Sequence, residues 1–343
     1  MNFNYPTLSL KSFFLAILNT YRLVIIAVKG IFGLLFSDAF RFYKETISLL
    51  NSKLKKDNQR LDKAQEKRLF TYSIVGVVMF NSALKTLTGK KLDKRQQEIS
   101  QSFTALTAIF DDLVDEFNYS GEEIKEVCQK RVQYPDNVWE QMTIALIEKI
   151  EGLNKRTIWH PLAEKIVDYQ ILSKGQENGT LEENLLREII YHKGGMSIQL
   201  NHDTVLDGNV NRLESEGFFG LGVIIQLTND IYDIFKDRNN HTQTLVTDCK
   251  DIRVLRNEYN TMVEKTFAIF WQLPYPKKNI HNFLLQMMVI VSRGWVALDH
   301  LEEAQKTTQN IFSPKEYSRK QLITDMAKFR NIWRSFVYNV TAI

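Results

Sequence analysis

Two acidic stripes have the residue types and spacing for metal chemistry. Asp111-Asp112-Leu113-Val114-Asp115 gathers three carboxylates, and Asn229, Asp233 and Asp237 follow much later in the chain at i, i+4 and i+8. On a helix the second set drifts only about 40° per step and spans roughly 12 Å, so its oxygens share one face. Mg²⁺ prefers octahedral oxygen coordination, keeps several waters, and is commonly shared between one or two carboxylates and substrate phosphates. Ions held this way neutralise the charge that develops as a diphosphate leaves carbon, and nearby Lys or Arg donors assist.

Each stripe needs a helix to position it. Ile99, Phe103, Leu106, Phe110, Leu113, Val114 and Phe117 recur at three- and four-residue steps, which gives the first helix an apolar face. The acids fall on the other side, just before a break at Asn118 to Gly121, and that side continues toward the N-terminus through small, uncharged Thr104, Ala105 and Ala108. The second stripe continues through Gln226, Gly222 and Phe218 or Phe219, and it too ends near a break, at Arg238-Asn239-Asn240. Carboxylates at a helix C-terminus oppose the macrodipole at a cost of about 0.3 to 1 kcal/mol each, which a cation would offset. Either motif alone is also compatible with a solvated face. An uncharged wall ending in an acidic rim is what the mouth of an apolar pocket would look like.

The remaining sequence supplies more helices. The chain has 343 residues, of which 44% are hydrophobic, with only 15 Gly and 6 Pro, enough to bury a large core with few breakers. Breaks are expected at Leu50 to Asp62, Thr86 to Lys94, Asn118 to Glu122, Tyr134 to Asn137, Gly152 to Pro161, Lys174 to Thr180, Gly208 to Glu216, Asp237 to Thr244 and Pro274 to Lys278. They leave about ten helices and no strand-like alternation, which predicts an all-α fold with one large helical domain. A net charge of +4 with mixed signs offers no stripe for nucleic acid. Cys128 and Cys249 have neither metal nor disulfide spacing and fit a reducing cytoplasm. His192, His202 and His241 are scattered among polar neighbours and read as structural or exposed. Near the N-terminus, Leu23 to Phe36 is apolar but interrupted by Lys29, and falls short of the roughly 20 residues a spanning helix needs. A helix packed on the body is the expectation for it, with peripheral membrane contact as the second reading.

The motifs resemble those of class I isoprenoid synthases. Asp111 to Asp115 is similar to the DDxxD motif. Gln226 to Asp237 resembles the QxTNxxRDxxED pattern of squalene and phytoene synthases at Gln226, Thr228, Asn229, Asp233 and Asp237, with Tyr232 in place of Arg and Lys236 in place of the first Glu. It also resembles the NDxxSxxKE pattern of terpene cyclases at Asn229, Asp230 and Lys236, with Asp233 and Asp237 where Ser/Thr and Glu would stand. Such a mixed pattern is similar to the squalene-synthase-like branch that includes tetraprenyl-β-curcumene synthases, over residues 65 to 340.

The resemblance implies a helical bundle with a central apolar cavity, assigned to residues 61–343, with residues 1–60 as a helical extension. It implies three Mg²⁺ ions held by Asp111, Asp112, Asp115, Asn229, Asp233 and Asp237, and diphosphate contacts from Lys193, Arg238, Arg187, Lys236 and Arg293. Thr104, Ala108, Phe218, Phe219, Gly222 and Gln226 would line the pocket. Tyr191-His192-Lys193-Gly194-Gly195 interrupts a helix expected from Leu185 to Leu200, because each Gly costs about 1 kcal/mol relative to Ala. This pair resembles the broken helix of the superfamily, with close helix packing as the alternative; Lys193, Gly194 and Tyr232 are accordingly expected at the catalytic centre. The implied activity is ionisation of an allylic prenyl diphosphate of fifteen carbons or longer, followed by cyclisation or rearrangement. A head-to-head prenyl transferase and a non-catalytic helical prenyl-lipid binder are the alternatives, and homodimers are common among such relatives.

Overall fold

The computed structural model describes residues 10–35, 39–54, 61–72, 77–115, 117, 119–130, 138–154, 159–179, 181–206 and 210–342. Among the described residues there are helices and no strands, as the all-α expectation requires. In chain order the helices are α1 (Leu10–Leu35), α2 (Ala39–Leu54), α3 (Lys63–Phe70), α4 (Val77–Thr88), α5 (Lys94–Asp115), α6 (Gly121–Cys128), α7 (Val138–Leu153), α8 (Trp159–Ser173), α9 (Glu183–Val205), α10 (Arg212–Asn239), α11 (Ile252–Gln272), α12 (Lys277–Gln305), α13 (Arg319–Leu322) and α14 (Phe329–Thr341). The expected break at Tyr134 to Asn137 lies outside the described residues. Between α12 and α14 the chain makes short 3₁₀ turns and α13 that the sequence periodicity did not separate.

Two compact units make up the chain: Met1–Ile26 with Leu172–Gln199 and Asn211–Ile343, and Ala27–Ile171 with Leu200–Val210. In the first, α10, α11 and α12 pack on one another and α14 packs on α12. Asn211 caps α10, its side chain accepting the Leu213 N–H at 2.9 Å, which satisfies one of the helix's unpaired first-turn donors. The core of this unit is aromatic, with Phe218 of α10, Phe270 of α11 and Phe283 of α12 in mutual contact at centroid distances of 4.7 to 6.0 Å. Thr228 of α10 and Tyr259 of α11 share a buried hydroxyl–hydroxyl bond of 2.9 Å. Gly294 of α12 makes room for it, since a methyl there would lie 3.2 Å from the Thr228 hydroxyl and collide with that of Tyr259. Arg256 of α11 clamps α12 through Asp299 at 2.7 Å and through Glu302.

The second unit is built around α5, against which α7, α2, α4 and α3 pack. Ile99, Ala105, Ile109 and Leu113 are fully buried there, and so are the polar Ser100, Gln101 and Ser102. A helix buried on nearly all sides does not keep a strict two-faced pattern. Thr104 turns its hydroxyl back onto the Ser100 carbonyl at 2.6 Å, and Ala108 is buried like Ala105. At the C-terminal end of α5, Val114 packs with Ile124 and Val167. Among the described residues no helix is long and apolar enough to cross a membrane.

Candidate active site

The acidic stretch of α10 is partly open to solvent. Asn229, Asp233 and Lys236 are exposed, Asp237 is half-buried, and Asp230 is only 7% exposed. One Asp230 oxygen accepts the Gln226 amide N–H at 2.8 Å, while the other has no hydrogen-bond partner. Burial, with a smaller push from Asp233, raises the Asp230 carboxyl to about 6, although Gln226 and the Lys193 charge pull it back. Asp237 is raised to about 7, first by burial and then by the charges of Asp230 and Asp233, with Lys236 opposing. Asp230 and Asp237 therefore lose hydration and feel neighbouring negative charge, two effects that each favour the neutral acid. Asp230 was not among the expected ligands; its signal was its place directly after Asn229 and its i, i+3, i+7 spacing with Asp233 and Asp237.

The expected interruption in the neighbouring helix does not occur. Helix α9 runs unbroken through Lys193, Gly194 and Gly195, and the glycines serve close packing instead. A methyl on Gly194 would stand 2.5 Å from Gln226 Cβ and 2.8 Å from the Gly222 carbonyl oxygen, and one on Gly195 would stand 2.5 Å from the Phe219 ring. Without side chains at these positions α9 approaches the α10 backbone, carrying Lys193 to where its charge acts on Asp230. The same packing accounts for the expected pocket residues of α10. Phe219, Gly222 and Gln226 lie against α9, with Phe219 also edge-on to His192 at 5.8 Å. Phe218 is 2% exposed and belongs to the aromatic core, because it projects to the other side of α10.

The expected basic residues separate into two groups. Arg187 donates to Glu258 of α11 at 2.8 and 3.2 Å and to Glu183 at 2.9 Å, and Tyr191 donates to the same Glu258 at 2.5 Å. Arg238 donates to the carbonyls of Pro314 and Tyr317 at 3.0 and 2.6 Å and to the Asn239 side chain, with its guanidinium over Phe235. Tyr232 donates to the Arg293 carbonyl at 3.2 Å, and the Arg293 guanidinium lies 5.6 Å from the centre of the Tyr232 ring. At 100° per residue, Tyr232, Phe235 and Arg238 project away from the Asp233 and Asp237 side of α10. These groups tie elements together. Lys193 and Lys236 are the two whose charges reach the acids.

In the other unit the side chains of Asp111 and Asp115 lie outside the described residues. Asp112 is 3% exposed and ion-paired to Arg68 of α3 at 2.7 Å. A carboxylate taken out of water needs such a counter-charge, and Arg68 supplies it from the protein. Among the described residues no group of three or more His, Cys, Asp or Glu is close enough to hold a metal ion by itself. What α10 offers is an open set, two carboxylates and an amide along one stripe, of the kind that waters and a phosphate ligand complete around Mg²⁺.

No protein-family model matches the chain, and no curated protein matches it. Among solved structures it is similar to a polyprenyl synthase from Caulobacter crescentus CB15 complexed with calcium and isoprenyl diphosphate, at 12% identity and a TM-score of 0.43, covering 93% of this chain and 97% of that one. It is also similar to the heptaprenyl diphosphate synthase of Staphylococcus aureus, at 13% identity and a TM-score of 0.39, covering 89% and 98% of the two chains. Likenesses of this degree assign neither a family nor an activity.

Proposed function

We propose that this chain is a Mg²⁺-dependent class I terpene synthase of the isoprenoid synthase fold, which ionises an allylic prenyl diphosphate of fifteen carbons or longer and cyclises or rearranges the resulting cation. The observation that carries this reading is the group Asp230, Asp233 and Asp237 along α10, in which burial first and neighbouring negative charge second raise Asp230 and Asp237 above ordinary carboxylates. A multivalent cation relieves that repulsion. Asn229, Asp233 and Asp237 would hold it on α10. Asp112, engaged by Arg68, orients the end of α5 in this reading and does not coordinate.

When bound, Mg²⁺ supplies charge neutralisation to the departing diphosphate. The chain's own residues do the rest. Lys193 and Lys236 donate charge-assisted hydrogen bonds to diphosphate oxygens. Asp230 holds Gln226 through its amide and draws the Lys193 charge toward the acidic stretch. Arg187, Tyr191 and Glu258 fix α9 on α11, so that Lys193 does not wander as negative charge builds. No side chain is required as a nucleophile, and the released diphosphate is itself a base for the final proton.

A product assay tests the reading. Single prenyl diphosphates of increasing chain length are supplied with Mg²⁺, and diphosphate release and hydrocarbons are measured. A cyclic or rearranged product of unchanged carbon number is expected. A product of doubled carbon number would replace cyclisation by head-to-head condensation, and no diphosphate release at any chain length would leave only a prenyl-lipid binder.

A further inference from the structure

Helix α1 presents an apolar face to solvent. Phe14, Ile17, Leu18, Tyr21 and Val24 are all exposed, Phe14 and Tyr21 at 65% each. At 100° per residue they fall in one stripe, about 15 Å long by the helical rise. The opposite side holds the helix to its unit through Asn19, which is fully buried. Its amide donates to the Val340 carbonyl of α14 at 2.9 Å, and its oxygen bonds the His281 ring of α12 at 3.0 Å. A surface helix ordinarily shows polar residues outward; here the outward stripe is the apolar one.

Basic residues outnumber acidic ones on the helices that hold this stripe. Neither α1 nor α14 contains an Asp or Glu, whereas α1 carries Arg22, and α14 carries Arg330 and Arg334, which both pair with Glu303 of α12. Arg22 stands near enough to His281 to oppose its protonation. Trp271 packs beside His281 at 6.4 Å, Lys277 lies over the Trp271 ring at 5.9 Å, and both Lys277 and Lys278 are exposed. Further along α14, Phe329 and Trp333 are exposed and stacked at 6.5 Å. An apolar stripe with basic and aromatic neighbours matches a bilayer interface, where the stripe enters the acyl boundary and Lys and Arg meet anionic headgroups.

We propose that α1 docks this chain in the plane of an anionic lipid bilayer, with Phe14, Ile17, Leu18, Tyr21 and Val24 inserted below the headgroups. The helix lies on the membrane and does not cross it, consistent with the absence of a spanning helix among the described residues. This docking is independent of the chemistry proposed for α10, and the site residues are left intact in its test.

Full-length protein is sedimented with vesicles of phosphatidylcholine alone and of phosphatidylcholine with an equal amount of phosphatidylglycerol. Binding to the anionic vesicles is expected, and Ile17→Glu combined with Tyr21→Glu should weaken it at least about tenfold. As a second readout, Leu18→Trp should shift its emission to the blue only with anionic vesicles, while circular dichroism checks that each variant is folded. Equal binding to both vesicle types, no binding, or undiminished binding by the folded double variant would overturn the proposal. So would a dimer in solution that the double variant abolishes without any vesicle binding by the native chain.

Discussion

The acidic ends of α5 and α10 began as similar patterns and became different physical objects. On α5, Asp112 is buried and neutralised by Arg68 of the same unit. On α10, among the described residues, no arginine pairs with Asp230 or Asp237; burial first and neighbouring acids second raise both, and the charges of Lys193 and Lys236 offset only part of the effect. A carboxylate with its own internal counter-charge stabilises a fold. A group left repelling itself stores a preference for something that arrives later, and that preference is what the proposed metal and diphosphate would satisfy.

The sharpest way to break the comparison is to remove the α5 counter-charge. Arg68→Ala removes the arginine charge paired with buried Asp112 and should cost about 2 to 4 kcal/mol, the lower part of that range reflecting the partial exposure of Arg68. Urea unfolding measures it; a loss below about 0.5 kcal/mol would class the pair with ordinary surface bridges. Next in size is Gly222→Ala, whose methyl would collide with the Gly194 carbonyl oxygen. Forcing α9 and α10 apart should cost about 1 to 3 kcal/mol, and an unchanged melting temperature would contradict the close packing.

Much of the fold could be read from the sequence, and the reasons are local. The three- and four-residue apolar steps of α5 and the scarcity of Gly and Pro announced helices, and both acidic stretches fall at the ends of α5 and α10 as expected. The Gly194-Gly195 pair was ambiguous because a missing side chain looks the same whether it breaks a helix or admits a neighbour; only the positions of Gly222, Gln226 and Phe219 decide. Arg187 and Arg238 looked available because their partners, Glu258 and the Pro314 and Tyr317 carbonyls, lie 71 to 79 positions away in sequence. Phe218 and Phe219 are neighbours in sequence, and one residue step of rotation sends one into the core and the other against α9.

The α10 group also predicts a pH dependence. Asp230 and Asp237 have folded values raised from 3.8 to about 6 and about 7. The stability tied to holding their protons is present below their unfolded values and is lost as pH rises through the folded ones. Without metal, the protein should therefore melt lower at about pH 8 than at about pH 5, by on the order of 1 kcal/mol after solvent screening. Asp237→Asn should flatten this slope and raise stability at the higher pH; a slope that rises with pH, or one that Asp237→Asn leaves intact, would contradict the repulsion. The smallest effect belongs to Tyr232→Phe, which removes a partly exposed bond to the Arg293 carbonyl and should cost about 0.5 to 1 kcal/mol. A loss of diphosphate release with no loss of stability would instead give Tyr232 a part in the chemistry.

The central claim is that α10 accepts a cation together with a diphosphate, and thermal melting of the full chain with Mg²⁺ and inorganic diphosphate tests it most directly. A rise in melting temperature is predicted that needs both ligands, disappears in Asp233→Ala and survives in Tyr232→Phe. An unchanged melting temperature in the native chain, or the same rise in Asp233→Ala, would contradict it.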